Sequence, residues 1–155
     1  MRCIHAFSSE FCLALNSYKS FYTFRSLCEE WIGESNVMIA IENTDGFRDY
    51  EKKAIEYLLQ SPKFGLTWDV GHSKATAEKD APFLLEHKVH LFHFHIHDGS
   101  EKPPRNHLAL GDGRIDLIER LRLAEDRNAR CVLETKTIEA LRQSVKWLGE
   151  NGIQH

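Results

Sequence analysis

The sequence predicts an α/β fold built from about four to five βα units with parallel strands. Two observations support this fold class. Short apolar runs of strand length alternate along the chain with stretches in which apolar residues recur at helical spacing. In addition, four of the apolar runs end on acidic or imidazole side chains, at Glu42, Asp69, His95 and Glu134. The carboxyl ends of parallel strands are where α/β proteins bind their ligands, so these four side chains are expected to gather at one edge of the sheet.

The first part of the chain predicts a strand, a helix and a second strand. Residues 2–7 predict a short strand, whereas residues 8–19 show no pattern that favours one element. A helix is expected from Ser20 to about Gly33, since apolar side chains recur there at helical spacing. The predicted apolar stripe of this helix consists of Phe21, Phe24, Cys28, Trp31 and Ile32. The run 37–41 then has the length and β-branching of a buried strand.

The middle of the chain continues the alternation. A helix is predicted over 51–60, and Ser61-Pro62 stops it. A strand follows at 64–70, after which Asp80 is expected to cap a short helix that has Pro82 in its first turn. The next strand spans 89–97.

The last third begins with a long loop. Residues 98–113 contain two prolines and three glycines, and a long loop in a compact unit is usually functional. Asp116 is expected to cap the following helix, and a strand is predicted over 130–134. A final helix begins at about Thr137, has Leu141, Val145 and Leu148 on its apolar side, and ends at Asn151-Gly152.

The length of the chain limits how much of a barrel it can form. A complete eight-stranded β/α barrel takes about 250 residues and rarely fewer than 200. The 155 residues therefore predict a single domain over 1–155 that forms a partial (β/α) TIM barrel, close to half of one. An open half exposes an apolar face and two sheet edges, so we expect a homodimer contact or a partner that completes the barrel.

Composition argues against several classes of protein. The formal net charge is −3 and lysine and arginine are scattered, which disfavours nucleic-acid binding. No apolar stretch reaches the ~20 residues of a membrane span. Cys3, Cys12, Cys28 and Cys131 show no C-x-x-C spacing, as expected of reduced and mostly buried thiols in a cytoplasmic protein.

Histidines crowd the strand over 89–97. His93, His95 and His97 share one face of that strand by parity, and Phe92, Phe94 and Ile96 share the other. A strand of a parallel sheet is usually apolar on both faces, so a histidine face indicates a polar neighbour such as a metal ion or a substrate. A single core histidine would carry no such meaning.

The acidic strand ends complete a candidate metal site. Glu42 and Glu134 lie where a buried carboxylate must be paired, coordinated or solvated, although capping the next helix would explain either one alone. Asp69 and His72 are three residues apart across a glycine-containing turn, so both can face one centre. Three carboxylates and one imidazole form an oxygen-rich set that suits Mn²⁺, Mg²⁺ or Co²⁺ and is compatible with Zn²⁺.

These motifs resemble those of a known family. The segments IAIENTDG, GLTWDVGHS, FHIHDG followed by HLALGDGRID, and CVLETK are similar to the C-terminal half of the xylose isomerase-like TIM barrels. That superfamily contains sugar phosphate isomerases and epimerases and endonuclease IV, which belongs to AP endonuclease family 2. The resemblance covers residues 20–150.

The resemblance implies roles for six positions. It implies that Glu42, Asp69, His95 and Glu134 ligate one divalent metal ion. It further implies that His72 and His107 contact the substrate, a sugar or sugar phosphate. His97 stands where many relatives have asparagine or another polar residue, and we place it with the substrate-contacting residues.

The implied reaction is proton transfer beside a carbonyl. An isomerase or epimerase of this superfamily removes a proton from the carbon next to a carbonyl and returns it elsewhere, with a metal-stabilised enediolate between the two steps. Glu42 and Glu134 fit the positions of the base and the acid. A lyase acting on a cyclic polyol begins with the same proton abstraction.

Two further alternatives stay open. An endonuclease IV-like zinc enzyme would require three zinc ions, histidines from the other half of the barrel, and an aspartate two residues before His107, where this chain has Arg105. The chain could instead be a half-barrel fragment or subunit without activity of its own, because the missing strands would close the barrel and line the pocket.

Overall fold

A parallel five-stranded sheet forms the centre of the fold. The computed structural model describes residues 2–7 and 18–153, with side chains from residue 20 onward. In this part of the chain the strand order is β1-β2-β3-β4-β7, and β5 and β6 form a separate antiparallel hairpin. The strands of the main sheet are β1 (Arg2–Phe7), β2 (Val37–Glu42), β3 (Phe64–Asp69), β4 (Leu91–Ile96) and β7 (Arg130–Leu133). The hairpin consists of β5 (Asp98–Glu101) and β6 (Pro104–Leu108).

Helices connect the strands of the sheet. They are α1 (Tyr18–Ile32), α2 (Asp49–Leu59), α3 (Val70–Ala75), α4 (Ala81–Glu86), α5 (Leu117–Asp126) and α6 (Ile138–Glu150). A 3₁₀ turn (Lys88–His90) precedes β4. Every neighbouring pair of strands in the main sheet is parallel, which confirms the predicted α/β class and the partial barrel.

The strand register brings the carboxyl ends of the strands together. Asp69 of β3 pairs with His95 of β4, and Glu42 of β2 pairs with Thr67 of β3. The pairing continues past the end of β7, because the Glu134 N–H donates to the Ile96 carbonyl at 3.1 Å. Consequently, the four predicted ligands lie at one edge of the sheet.

The core lies between the sheet and the helices. Trp68 and Phe94 stack on adjacent strands with their ring centroids 6.0 Å apart, and both are fully buried. Complete burial of a large apolar side chain stabilises a fold by roughly 1.5–3 kcal/mol. The Arg120 guanidinium of α5 lies 4.6 Å from the Trp68 ring centroid, which attaches α5 to the sheet. The site is therefore built on the most buried strands.

Both terminal helices expose apolar side chains. Trp31, predicted on the apolar stripe of α1, is 80% exposed, and Leu141 and Val145 of α6 are exposed as well. The prediction of burial is wrong for these three residues, because these faces of α1 and α6 are not covered by another described element. Among the described residues, β1 and β7 each pair on one side only. The described part of the chain therefore leaves two sheet edges and two apolar helix faces open.

Two further predictions need correction. The predicted loop 98–113 contains the β5–β6 hairpin, which pairs over only a few residues and has no alternating apolar pattern. Asp80 is the N-cap residue of α4, but its side chain makes no capping hydrogen bond because it is bound elsewhere. The predicted cap Asp116 is confirmed, and it accepts the Glu119 N–H. Thr137, the expected start of the last helix, is the N-cap of α6 and accepts the Ala140 N–H.

The remaining predictions concern cysteines and the membrane. Cys28 is a buried free thiol, whereas Cys131 is free and exposed. The side chains of Cys3 and Cys12 and the unassigned segment 8–17 lie outside the described residues. No helix in the described ranges is long and apolar enough to cross a membrane.

Candidate metal centre

Four side chains from four strand ends converge on one point. Glu42, Asp69, His95 and Glu134 each offer one ligand atom, and these atoms all lie within 4.8 Å of one another. His95 Nδ1 is central, at 3.3 Å from Glu42 Oε1, 3.1 Å from Glu134 Oε2 and 3.8 Å from Asp69 Oδ2. The four residues that the sequence singled out as ligands are thus brought together.

The Asp69 carboxylate is held by two donors. As the N-cap of α3, it accepts the His72 backbone N–H through Oδ1 at 2.7 Å. The ring nitrogen Nε2 of His97 lies 2.9 Å from Oδ1 and 3.1 Å from Oδ2. These bonds fix the carboxylate so that Oδ2 faces His95, while the helix N-terminus favours its negative charge.

A buried polar network supports Asp69 from behind. The Asn43 Oδ1 accepts the Asp69 backbone N–H at 2.8 Å, and Asn43 Nδ2 donates to Asp80 at 2.6 Å. The Ser73 hydroxyl donates to the other Asp80 oxygen at 2.6 Å and accepts from Trp68 Nε1 at 2.8 Å. Burial raises the pKa of Asp80, although both hydrogen bonds oppose that shift. Sequence reasoning missed this network, for which an asparagine directly after Glu42 was the only local signal.

Asp98 organises the loop that follows the hairpin. Its buried carboxylate accepts the backbone N–H groups of Gly99, Gly111, Gly113 and Ile115 at 2.8–3.2 Å. The loop is packed so closely that a Cβ at Gly113 would lie 2.1 Å from Asp98 Oδ1. Asp98 thereby ties the segment after His107 to the carboxyl end of β4.

The site shifts the acid–base properties of its members. Burial alone would lower the pKa of His95, but hydrogen bonding and charge from Asp69 and Glu42 outweigh it and raise the pKa to about 10. Burial alone would raise the pKa of Asp69, but hydrogen bonds from His95 and His97 hold it well below its usual range. The cluster therefore stabilises a positive charge at its centre.

The donor set fits a divalent cation. The carboxylate oxygen Oε2 of Glu42 is buried and accepts no hydrogen bond from any described residue. Buried carboxylate oxygens need a compensating charge or donor, and an ion at this point would provide one. Three carboxylates and one imidazole match hard or borderline ions rather than soft ones.

A second group of three imidazoles lies beside the first cluster. His72, His97 and His107 each have a ligand atom within 4.8 Å of the others. The His97 and His107 rings stack with centroids 4.2 Å apart, and the His72 ring meets His107 edge-on at 5.2 Å. The side chain of His97 is fully buried, whereas His72 and His107 are partly exposed. His93 lies next to His95, at 5.2 Å between ring centroids.

Comparison with solved structures identifies the same fold in three enzymes or enzyme-like proteins. The chain is similar to the probable 3-DHS dehydratase AsbF from Bacillus anthracis, with a TM-score of 0.66 and 15% identity over 96% of this chain and 63% of that one. It is similar to the 3-keto-D-glucoside 4-epimerase YcjR from E. coli, with a TM-score of 0.57 and 16% identity over 88% of this chain and 57% of that one. It is also similar to a xylose isomerase domain protein from Planctomyces limnophilus, with a TM-score of 0.62 and 14% identity over 85% of this chain and 50% of that one.

The family model and the solved structures each cover most of this chain. The chain spans between half and about two-thirds of the length of these structures. A sequence search of curated proteins gives no match. The family model for the xylose isomerase-like TIM barrel matches residues 18–151, a range that contains all four converging side chains. The chain belongs to the xylose isomerase-like TIM barrel family.

Proposed function

We propose that this chain carries the metal-binding part of a divalent-metal-dependent enzyme that transfers a proton beside a carbonyl of a sugar or sugar phosphate. The observation that carries the proposal is the convergence of three carboxylates on His95 at the strand ends. Glu42, Asp69, His95 and Glu134 would hold Mn²⁺, Mg²⁺ or Co²⁺, with Zn²⁺ also compatible. An ion bound there supplies Lewis-acid stabilisation of charge that develops on a substrate oxygen.

The two glutamates are proposed as the proton-transfer groups, and their exposure differs. The Glu42 side chain is 3% exposed and the Glu134 side chain is 43% exposed. Glu134 can therefore meet a substrate and exchange its proton with solvent, whereas Glu42 faces the interior of the cluster. One acid and one base on either side of a bound carbonyl compound can move a proton between neighbouring carbons.

His72 and His107 are proposed as substrate contacts. The His107 ring lies beside the centre, with its Nδ1 3.2 Å from the Glu134 carbonyl oxygen. That oxygen can only accept, so Nδ1 carries the proton and Nε2 stays an acceptor for a hydroxyl group. His72 Nδ1 is buried and makes no hydrogen bond to any described residue, so it can also serve a ligand. Two imidazole nitrogens beside an ion suit the hydroxyls of a sugar.

Isomerase, epimerase and lyase share their first step. The titles of two similar structures describe an epimerase and a probable dehydratase, and a dehydratase also begins by removing a proton activated by a carbonyl. The endonuclease IV-like alternative has less support, because the net charge is −3 and Arg105 stands where a further ligand is required. A half-barrel that binds the ion without turnover is the alternative that experiment must separate.

The decisive experiment measures ion binding and proton exchange separately. Metal-stripped protein is titrated with Mn²⁺ and Co²⁺ while its melting temperature is recorded. Binding at 100 times the Kd should stabilise the fold by about 2.7 kcal/mol. The loaded protein is then incubated in D₂O with a panel of ketoses, ketose phosphates and cyclic keto acids, and deuterium uptake beside the carbonyl is followed by NMR.

Each result has a clear meaning. Metal-dependent stabilisation together with deuterium uptake supports the proposal. Stabilisation without uptake on any panel member indicates a binding half-barrel, and no stabilisation by either ion contradicts the metal centre itself.

A further inference from the structure

His97 lies too deep to touch a substrate. Its side chain is fully buried, and its ring packs against the backbone of Gly71, where a Cβ would lie 1.9 Å from His97 Cε1. Glycine at position 71 is thus what makes room for the ring. The ring also stacks on His107, and its complete burial leaves no open side of the imidazole for a ligand.

The hydrogen bonds of His97 define its tautomer. The His107 backbone N–H donates to His97 Nδ1 at 2.7 Å, so Nδ1 must carry a lone pair. The Asp98 carbonyl oxygen, at 3.3 Å from the same nitrogen, is farther away and does not compete with that donor. The ring proton is therefore on Nε2, which faces both carboxylate oxygens of Asp69. Both ring nitrogens are occupied by protein groups.

These bonds form a continuous connection between the Asp69 carboxylate and the backbone of Glu134. Asp69 accepts from His97 Nε2, His97 Nδ1 accepts from the His107 N–H, and His107 Nδ1 donates to the Glu134 carbonyl at 3.2 Å. His107 adopts φ +53°, a left-handed conformation that is uncommon for residues other than glycine and that marks a locally constrained backbone. The connection thus joins the end of β3 to the segment after β7.

We propose that His97 is a positioning residue that holds the Asp69 and Glu134 segments in the geometry required for ion binding, and that it contacts neither the ion nor the substrate. This inference rests on the proposed metal centre. Residues that orient a ligand by hydrogen bonding typically change metal affinity by 10–100-fold when they are removed. It follows that the three imidazoles of His72, His97 and His107 do not form a second ion site, since His97 has no free nitrogen.

The tautomer is tested on the wild-type protein without added metal. Long-range ¹H–¹⁵N correlation spectra of the histidine rings report which nitrogen carries the proton, and the His97 signals are assigned by their loss in His97→Gln. We expect a neutral ring protonated at Nε2. A ring protonated at Nδ1, or at both nitrogens, overturns the inference whether or not the protein binds metal.

The positioning role is tested by Co²⁺ and Mn²⁺ affinity. We expect His97→Leu to weaken binding by 10–100-fold, with altered Co²⁺ visible absorption, and His97→Gln to recover part of the loss because its amide retains a donor and an acceptor. The matched control is His87→Gln, since His87 directly follows the last residue of α4 and pairs with Glu56 rather than with a residue of the metal centre. If His97→Leu folds and binds the ions with wild-type affinity, the positioning role is overturned. If His97→Leu does not fold, the test uses Gly71→Ala, which must displace the His97 ring. Unaltered ion affinity in Gly71→Ala overturns the role equally.

Discussion

At the scale of single residues, His95 is the group that the three carboxylates of the site surround and stabilise in its charged form. Three carboxylates surround an imidazole whose pKa is raised to about 10, so in metal-free protein the ring is charged at neutral pH. A divalent ion and this proton compete for the same lone pair, and ion binding must release the proton. The same three carboxylates would therefore stabilise either the protonated His95 ring or a bound divalent ion.

The raised pKa of His95 predicts how the stability of metal-free protein depends on pH. A group whose pKa is higher in the folded state contributes stability below its ordinary pKa of 6.5 and loses it as the pH rises through about 10. We expect the melting temperature in chelator to fall by at least ~5 °C between pH 7 and pH 10.

The control for this pH dependence is His95→Gln. Other groups also titrate in the alkaline range, so the measured quantity is the difference between wild type and variant, which should shrink toward pH 10. The low pKa of Asp69 acts in the opposite direction, because its contribution is present above 3.8 and is lost as the pH falls. A wild-type curve parallel to that of His95→Gln would contradict the charged His95.

Glu134 allows a second test at this scale. Glu134→Gln removes a ligand charge and a proton acceptor without changing the size of the side chain. We expect deuterium exchange to fall by at least about 10²-fold, the lower end of what a general base contributes. Exchange is measured at saturating Mn²⁺, so that weaker ion binding is not mistaken for lost proton transfer.

The matched control is Glu139→Gln, since Glu139 is an exposed glutamate in the first turn of α6. It should keep wild-type exchange. Unchanged exchange in Glu134→Gln would remove Glu134 from the proposed reaction.

At the scale of elements, two buried carboxylates hold the loops around the site. Asp98 binds backbone N–H groups of the segment 109–115 after the hairpin, and Asp80 binds the side chains of Asn43 and Ser73 and so joins the start of α4 to the segment behind Asp69. Both side chains are buried, so their polar atoms are satisfied by directed donors rather than by solvent. The side chains of the site therefore lie at strand ends, and hydrogen bonds to the neighbouring loops hold them in place.

Asp98→Asn tests this arrangement. The substitution keeps the shape of the side chain but replaces one acceptor oxygen with an NH₂ group that faces other N–H donors. We expect the free energy of unfolding to fall by about 2–4 kcal/mol, as for a broken buried hydrogen-bond network. Urea unfolding followed by circular dichroism measures it.

The comparison variant is Asp116→Asn, at an exposed helix cap that accepts one N–H group. Asparagine caps about as well as aspartate, so the change should cost less than ~0.5 kcal/mol. Equal effects of the two substitutions would show that Asp98 has no special structural role.

At the scale of the whole molecule, the open sheet is the main feature. The edge strands β1 and β7 each pair on one side within the described residues, and α1 and α6 expose apolar side chains. Exposed edges and apolar patches are typical of surfaces that associate. The similar structures are longer than this chain, in agreement with a barrel that needs further strands.

We expect the isolated chain to self-associate through these surfaces. Sedimentation over a range of concentrations should show a rising average mass. Leu141→Lys with Val145→Lys should weaken association at least tenfold, or ~1.4 kcal/mol, because lysine in a buried apolar contact must be desolvated.

Val89→Lys is the matched control, since Val89 is an exposed apolar residue in the turn before β4 and not on α1 or α6. A wild-type chain that stays monomeric at every concentration would contradict the homodimer and favour a different polypeptide as the completing partner.

The extent to which sequence alone predicts this protein follows from the range of the forces involved. Strand and helix positions, the order of the βα units and the four converging residues follow from local periodicity and from the rule that parallel strands align their carboxyl ends. Glu42, Asp69, His95 and Glu134 could be named because each ends its own strand. Their 4.8 Å convergence is the geometric consequence of that placement.

Other features depend on contacts between distant segments and have no local signal. The burial of His97 against Gly71, the bonds of Asp80 to Asn43 and Ser73, and the exposure of Trp31 all arise from how the units pack. A buried polar group must find a partner wherever the fold places one, and an apolar side chain is buried only if a neighbouring element covers it. For that reason the four converging residues could be predicted from the sequence, while the residues that hold them in place became visible only in three dimensions.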